Sequence, residues 1–377
     1  MSSEKFMGET YGLKSNPFVG RVAQKPHLGM WYDREEQLEK WKKIISPPIV
    51  SNKIAIIIGD YGRGKSLSLL KIIEEAERHK EIFPINMNLK TEEKSKPGLD
   101  VIMRILKTID FNKLIHGKTE SELKNAIERL PDELEEPKKV LSKICTDAKP
   151  EIKKMALFFL RGEVKPSATD LKKLGVMRKI ETVDIAKEYL AAVLGFMKGL
   201  SFSTLLICVD EFEYLFSLVT KGQQSIYLAL LRGLYDLPNG LEKDPGDIAK
   251  IIFFIAVSED GWSSFKEIEH KEKSSGGPTV PLVDRIEIIT TLSPFDKNQT
   301  RHLIEKRLSF SRTTQKFHSK PLIPFTEPFV SYIYEKTKGE PRKIVVSCEH
   351  VLDSGIAKKI DLITAEFAEE VLEARGF

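Results

Sequence analysis

The stretch Gly59-Asp60-Tyr61-Gly62-Arg63-Gly64-Lys65-Ser66 satisfies every fixed position of G-x-x-x-x-G-K-[ST]. It stands between an apolar run, Ile54 to Ile58, and a segment of helical periodicity, Leu67 to Ala76. Strand, tight loop and helix in that order make a phosphate-binding P-loop rather than a Gly-rich turn. The glycines let the backbone curl so that its N–H groups converge on the phosphates of a nucleotide, and the helix adds its positive N-terminus. Lys65 would reach the β and γ phosphates and Ser66 would ligate Mg²⁺. The expected ligands are therefore ATP and Mg²⁺, with Gly59, Asp60, Tyr61, Gly62, Arg63, Gly64, Lys65, Ser66 and Leu67 as nucleotide contacts.

Such a loop requires a parallel sheet flanked by helices, and the chain supplies one. Ile54 to Ile58, Phe83 to Met87, Thr204 to Val209 and Ile251 to Val257 are short runs without polar alternation, as strands covered on both faces are. Ile286 to Thr290 is a fifth candidate. From Phe295 onward the pattern is helical only, over Lys297 to Leu308, Glu327 to Thr337, Pro341 to Ser354 and Ala365 to Arg375. Asp296 and Gln299 form an expected reciprocal cap before the first of these. The expected fold class is α/β, a P-loop NTPase core with a parallel sheet and a C-terminal helical lid. The expected division is 1–293 for the core and 294–377 for the lid.

Composition narrows the partners only slightly. The chain of 377 residues is 41% hydrophobic and 30% charged, and Lys+Arg 59 against Asp+Glu 55 leaves +4, so no global field demands nucleic acid. Cys145, Cys208 and Cys348 are far apart and lack metal-ligand spacing, which predicts no disulfide and no zinc. The polar N-terminal stretch and the lack of a span-length apolar run predict a cytoplasmic protein with no membrane partner.

The second chemical signal is Leu205-Leu206-Ile207-Cys208-Val209-Asp210-Glu211, an apolar strand ending in two carboxylates. It has the form of a Walker B element, in which Asp210 would hold the Mg²⁺ shell and Glu211 would polarise the attacking water. The alternative is a helix start enriched in acids. Ser258, after the run Ile251 to Val257, would either face the γ phosphate or cap the following helix. Arg285 and Arg342 are the remaining candidates, each with the alternative of an ordinary surface ion pair.

Taken together, the chain resembles the AAA+ ATPases, and within them the clade of origin-recognition initiators and transposition regulators. The resemblance rests on Tyr11-Gly12-Leu13 with Asn16-Pro17-Phe18, Asp33-Arg34-Glu35-Glu36-Gln37-Leu38, the P-loop, Asp210-Glu211, Ser258, Arg285 and Gly339-x-Pro341-Arg342. It implies Ser258 as sensor 1, Arg285 as an arginine finger offered to a neighbouring subunit, Arg342 as sensor 2 on the lid, and Asn16, Pro17 and Phe18 beside the adenine. It also implies a homo-oligomer and DNA as a partner.

The stretch between the second strand and Asp210 is far longer than a connection requires and is mostly helical, which predicts an inserted helical subdomain at about 113–200. Its expected pieces are Glu120 to Leu130, Pro137 to Thr146, Glu151 to Leu160 and Asp184 to Leu200. The run from Ala156 to Glu163, then Leu174-Gly175-Val176 and Ala186 to Phe196, resembles the ATP-binding proteins of BREX-type phage-exclusion systems. The insertion is either a packing elaboration or a site for an unidentified protein partner.

For DNA, the candidate loop is Lys90 to Lys96, with Lys90, Lys94 and Lys96 as backbone contacts. Glu92 and Glu93 offset its charge, and a solvated loop is the alternative. Lys138-Lys139, Lys153-Lys154 and Lys172-Lys173 are equally usable. The chain ends soon after the lid, so no winged-helix domain is expected. The leading expectation is an ATP-hydrolysing, ATP-switched oligomer that binds DNA or loads a partner onto it. The alternative is a nucleotide-dependent scaffold that binds a protein partner without DNA. A small-molecule kinase leaves Arg342 and the Asp-Glu pair without a joint role.

Overall fold

The computed structural model describes residues 2–19, 28–29, 31, 34–89, 98–147, 149–217, 220–237, 248–274, 281–313 and 319–376. Five strands form one sheet: β1 (Lys53–Ile58), β2 (Ile82–Asn88), β3 (Thr204–Asp210), β4 (Lys250–Val257) and β5 (Ile286–Thr291), in the spatial order β2-β3-β4-β1-β5. Pairs β1–β4, β3–β4 and β2–β3 are parallel, with Ile58 opposite Val257, Val209 opposite Ile255 and Asn88 opposite Asp210. The ends of β1, β2, β3 and β4 therefore lie along one edge of the sheet.

The three central strands are apolar on both faces because both faces are covered. β1 is buried from Ile54, β3 through Val209, and β4 from Ile251. The flanking strands depart from the expected uniform burial. In β2, Ile85 and Met87 are buried while Asn86 and Asn88 are exposed, and in β5 Glu287 and Ile289 are exposed. Successive side chains point to opposite faces, so this alternation means that one face of the strand is covered there and the other is open.

The helices of seven or more residues are α1 (Glu35–Ile45), α2 (Lys65–Ala76), α3 (Leu99–Thr108), α4 (Glu120–Glu128), α5 (Glu135–Thr146), α6 (Pro150–Leu160), α7 (Ala168–Leu174), α8 (Val183–Gly199), α9 (Lys221–Asp236), α10 (Glu259–Ser274), α11 (Lys297–Phe310), α12 (Glu327–Thr337), α13 (Pro341–Lys358) and α14 (Ala365–Glu373). Several starts are written in the chain as reciprocal caps. Thr119 with Glu122, Ser167 with Asp170, Thr220 with Gln223 and Asp296 with Gln299 each satisfy two backbone donors.

The chain divides into two compact units. One comprises 40–58 and 72–290, with the sheet and the helices between β2 and β3. Its core is continuous from Ile54, Ile56 and Ile58 through Phe253 and Ile255 to Phe196 and Leu194. α8 explains how the insertion is built: Ala186 and every residue from Tyr189 to Met197 are buried, so it is apolar nearly all round. α3, α4 and α5 pack against it.

The other unit comprises 1–39, 59–71 and 291–377. Its core joins Phe6, Tyr11, Leu13 and Phe18 to the C-terminal helices through Ile304, Phe325, Phe329, Ile344 and Val351. The N-terminal residues are thus part of the helical lid's core. Tyr11 donates to the Ile360 carbonyl, and Arg312 donates to the carbonyls of Tyr11, Pro321 and Ile323.

Within the sheet unit, buried Asn52 ties the start of the sheet to the end of α9. Its Oδ1 accepts from the Ile251 N–H at 2.8 Å and its amide donates to the Tyr235 carbonyl. Replacement by Ala leaves a buried backbone donor without this acceptor. Asn52→Ala is expected to lose about 1–3 kcal/mol of stability, read as a lower midpoint in urea denaturation.

Candidate functional site

The P-loop leaves β1 directly after Ile58 and runs into α2. Gly62 has φ +88 and Gly64 φ +92, values that only glycine adopts without strain, and they turn the chain through the tight curve. Lys65 is the first residue of α2 and is buried, its Nζ donating to the Gly59 carbonyl at 2.6 Å and to the Asp60 carbonyl at 3.3 Å. The ammonium is folded onto the loop's own carbonyls, so its charge sits at the loop's centre. Ser66 is exposed on the first turn of α2, while Ser68 is turned inward and donates to the Gly64 carbonyl at 3.1 Å. Arg63 spans Asp60, at 3.2 Å, and the Leu292 carbonyl, at 3.3 Å.

Arg342, in the first turn of α13, lies over this loop. Its guanidinium is 4.3 Å from the centre of the Tyr61 ring, which is itself 73% exposed. A Cβ at Gly62 would come within 2.6 Å of the Arg342 Cβ, so the helix start rests against the bare glycine. The cation–π contact contributes about 0.5–1 kcal/mol at an exposed site. Its larger consequence is to hold a guanidinium beside the P-loop.

In the sheet unit, Asp210 ends β3 and Glu211 follows with φ +55, a left-handed conformation uncommon for a side-chain-bearing residue. The Glu211 N–H donates to Asp210 Oδ1 at 3.0 Å, and the Glu211 carboxylate accepts from Asn88 Nδ2 at 2.6 Å. Arg104 of α3 donates to the Asn88 carbonyl. The turn throws the Glu211 side chain back toward the end of β2, where Asn88 fixes its direction.

Of the other sequence candidates, Ser258 serves the helix: its Oγ accepts from the Gly261 N–H at 3.1 Å. Its backbone N–H donates to Glu213 at 3.3 Å. Arg285 forms an ion pair with Asp236 at 2.7 Å and lies 5.2 Å from the Tyr235 ring centre. Asn16 is engaged with α13, donating to the Glu349 carbonyl and to Asp353, and Arg307 donates to the Pro17 carbonyl. Phe18 is fully buried and meets Phe325 edge-on at 5.9 Å, so its ring is enclosed in the lid core and has no face to offer a base. Arg34 donates to the Ser293 carbonyl at 2.7 Å and lies over Phe295. Asp33, Lys90, Lys94 and Lys96 lie outside the described residues.

Sequence reasoning missed Asn88, Arg104 and Asp236. Asn88 closes the strand beside β3 and is opposite Asp210 in register, a pairing the sequence alone does not show. No local signal marks Arg104 or Asp236 as partners of residues far along the chain.

Among the described residues no group of three or more His, Cys, Asp or Glu could hold a metal, but Mg²⁺ needs only one or two protein oxygens when phosphates supply the rest. The cysteines are free and buried, and burial pushes the Cys145 thiol up to about 12.

The fold is matched by the ORC2 protein of Aeropyrum pernix. Its ADP form superposes with a TM-score of 0.52 at 12% identity over 96% of this chain and 73% of that one. Its ADPNP–ADP complexes give 0.53 at 12% identity over 95% and 71%. The chain has the AAA+ fold. Residues 110–256 match the family model described as BREX system ATP-binding protein BrxC/D. A curated relative, the uncharacterized HTH-type transcriptional regulator MJ0774 of Methanocaldococcus jannaschii, is 29% identical over 96 residues. That match spans 26% of this chain and only 23% of the relative.

Gly339 fixes the approach to Arg342. It has φ +72, its carbonyl accepts from the Phe295 N–H at 2.8 Å, and a Cβ there would collide with the Phe295 carbonyl oxygen. Gly339→Ala is expected to cost roughly 2–4 kcal/mol through strain and displacement, seen as a lowered thermal midpoint.

Proposed function

We propose that this AAA+ chain binds and hydrolyses ATP with Mg²⁺, that the nucleotide controls its self-assembly, and that the assembly acts on DNA or on a partner held at DNA. The observation that carries the reading is the P-loop itself: two positive-φ glycines, a buried lysine at the loop's centre and a helix N-terminus in the order that phosphate binding requires. The match to the BREX ATP-binding family over 110–256 and the fold shared with ORC2 support it.

The residues divide the work by chemistry. Loop N–H groups and Lys65 would neutralise the phosphates, and Arg342, already resting on Tyr61, would add a second cation from the lid. Ser66 and Asp210 offer the hard oxygen ligands that Mg²⁺ prefers. Bound Mg²⁺–ATP supplies an electrophilic γ phosphorus and a leaving group whose charge the metal offsets. Glu211, aimed by Asn88, would accept a proton from water at its carboxylate. Arg285 would meet the nucleotide of a neighbouring copy, so that ATP favours assembly. Among the described residues no helix is long and apolar enough to cross a membrane.

A second reading keeps the nucleotide but replaces DNA with a protein partner at the helical insertion. It is favoured by the acids that neutralise the insertion's lysines: Lys138 pairs with Asp132, Lys139 with Glu135 and Lys143 with Asp147.

Glu211→Gln is expected to bind Mg²⁺–ATP within about threefold of the wild type by calorimetry, yet to hydrolyse it roughly a hundredfold or more slowly. Asp210→Asn should weaken Mg²⁺-dependent binding itself. Wild-type turnover in Glu211→Gln defeats the assignment. For DNA, about three lysine–phosphate contacts would reduce affinity roughly ten- to a hundredfold between 50 and 200 mM salt, read by fluorescence anisotropy with ATP present. Absence of binding at low salt selects the protein-partner reading.

A further inference from the structure

Arg285 is held more elaborately than a surface arginine requires. One of its nitrogens, Nη1, donates to both oxygens of Asp236 at 2.7 Å, and the guanidinium lies against the Tyr235 ring. The side chain of Arg285 is 18% exposed, whereas that of Asp236 is 51% exposed. The guanidinium carries five N–H donors in a rigid fork, and only the Nη1 corner is taken by Asp236. Among the described residues Nε and Nη2 form no hydrogen bond.

The backbone beneath Arg285 is fixed by a second, buried contact. Glu269 of α10 accepts from the consecutive N–H groups of Leu282 and Val283 at 2.7 and 2.9 Å, and it pairs with Arg232 of α9 at 2.9 Å. The side chains of Arg232 and Glu269 are 8% and 4% exposed. A buried pair of this kind resists separation, because removing one partner strands a charge. Arg232 and Asp236 are one helical turn apart on α9, so a single helix holds the stem of the Arg285 turn through Glu269 and its tip directly. Asn52 fixes the intervening Tyr235 through its carbonyl.

We propose that Asp236 is a positioning residue that sets the Arg285 guanidinium against Tyr235 with Nε and Nη2 directed to an anionic oxygen, a phosphate of a nucleotide bound by a second copy of this chain. The inference rests on the reading of Arg285 as a residue that acts on a neighbour's nucleotide. A guanidinium held at one corner retains the paired donors that match a phosphate, and it approaches with little rotamer freedom left to lose. Asp236 touches neither substrate nor metal; it acts through Arg285.

Asp236→Asn, Asp236→Glu, Arg285→Ala and the double variant Asp236→Asn/Arg285→Ala distinguish the possibilities, using the full chain with Mg²⁺–ATP. The exposed position of Asp236 makes its variants safe for folding, and thermal midpoints equal to the wild type check this. Asp236→Asn should lower kcat roughly ten- to a hundredfold, leave KM for ATP unchanged, and be partly rescued by Asp236→Glu. In the Arg285→Ala background the same substitution should change nothing further. Wild-type turnover in Arg285→Ala overturns the reading of Arg285 and this inference with it. A slow Arg285→Ala beside a fast Asp236→Asn, or an Asp236→Asn loss that persists undiminished without Arg285, overturns the positioning role alone.

Discussion

Burial of β1, β4 and β3 on both faces is the constraint from which the rest of the structure follows. A strand without a solvent face can carry polar chemistry only where it ends, and parallel pairing brings the ends of β1, β3 and β4 to one edge. In the chain, Ile58 is followed by the P-loop, Val209 by Asp210 and Glu211, and Val257 by Ser258. β4 lies between β1 and β3, so these two strands do not touch each other.

What was legible in the sequence follows from that constraint. A strand buried on both faces must be an unbroken apolar run, and so Ile54 to Ile58, Thr204 to Val209 and Ile251 to Val257 were readable without any partner. The P-loop was readable because its curve demands glycine at fixed places, and the Asp296–Gln299 cap because both halves lie within one turn. Edge strands were harder to describe: Asn86 and Asn88 break the apolar pattern where β2 meets solvent. Asn88 with Glu211, and Asp236 with Arg285, were invisible for a different reason. Each is a pair of ordinary polar residues whose meeting depends on strand register or helix packing, and nothing local reports either.

The N-terminal Asn-Pro-Phe segment, which the resemblance puts beside the adenine, is packed into the helical unit through its side chains. The ring of Phe18 is enclosed with Phe325, and the Asn16 amide donates to the Glu349 carbonyl and to Asp353. Burying a phenylalanine is worth about 1.5–3 kcal/mol, a gain that an exposed stacking position forgoes. The segment's backbone is held by Arg307 and Ser311, which donate to the Pro17 and Ser15 carbonyls. Ser258 makes the complementary point: its oxygen accepts from Gly261 as a helix cap, yet a hydroxyl that accepts one bond retains a hydrogen to donate.

The orientation of Glu211 is set by a backbone turn and one side-chain contact. A left-handed conformation at a glutamate costs about 1 kcal/mol or more, and a charged hydrogen bond from Asn88 of similar size offsets it. The direction of the carboxylate therefore follows where Asn88 stands. Arg104 holds the Asn88 carbonyl from α3, and α3 packs on α8, the buried axis of the insertion. A displacement of α3 would therefore reach Glu211 through two hydrogen bonds and no change in the central strands. The packing of the long insertion is thereby connected to the Glu211 carboxylate through α3, Arg104 and Asn88.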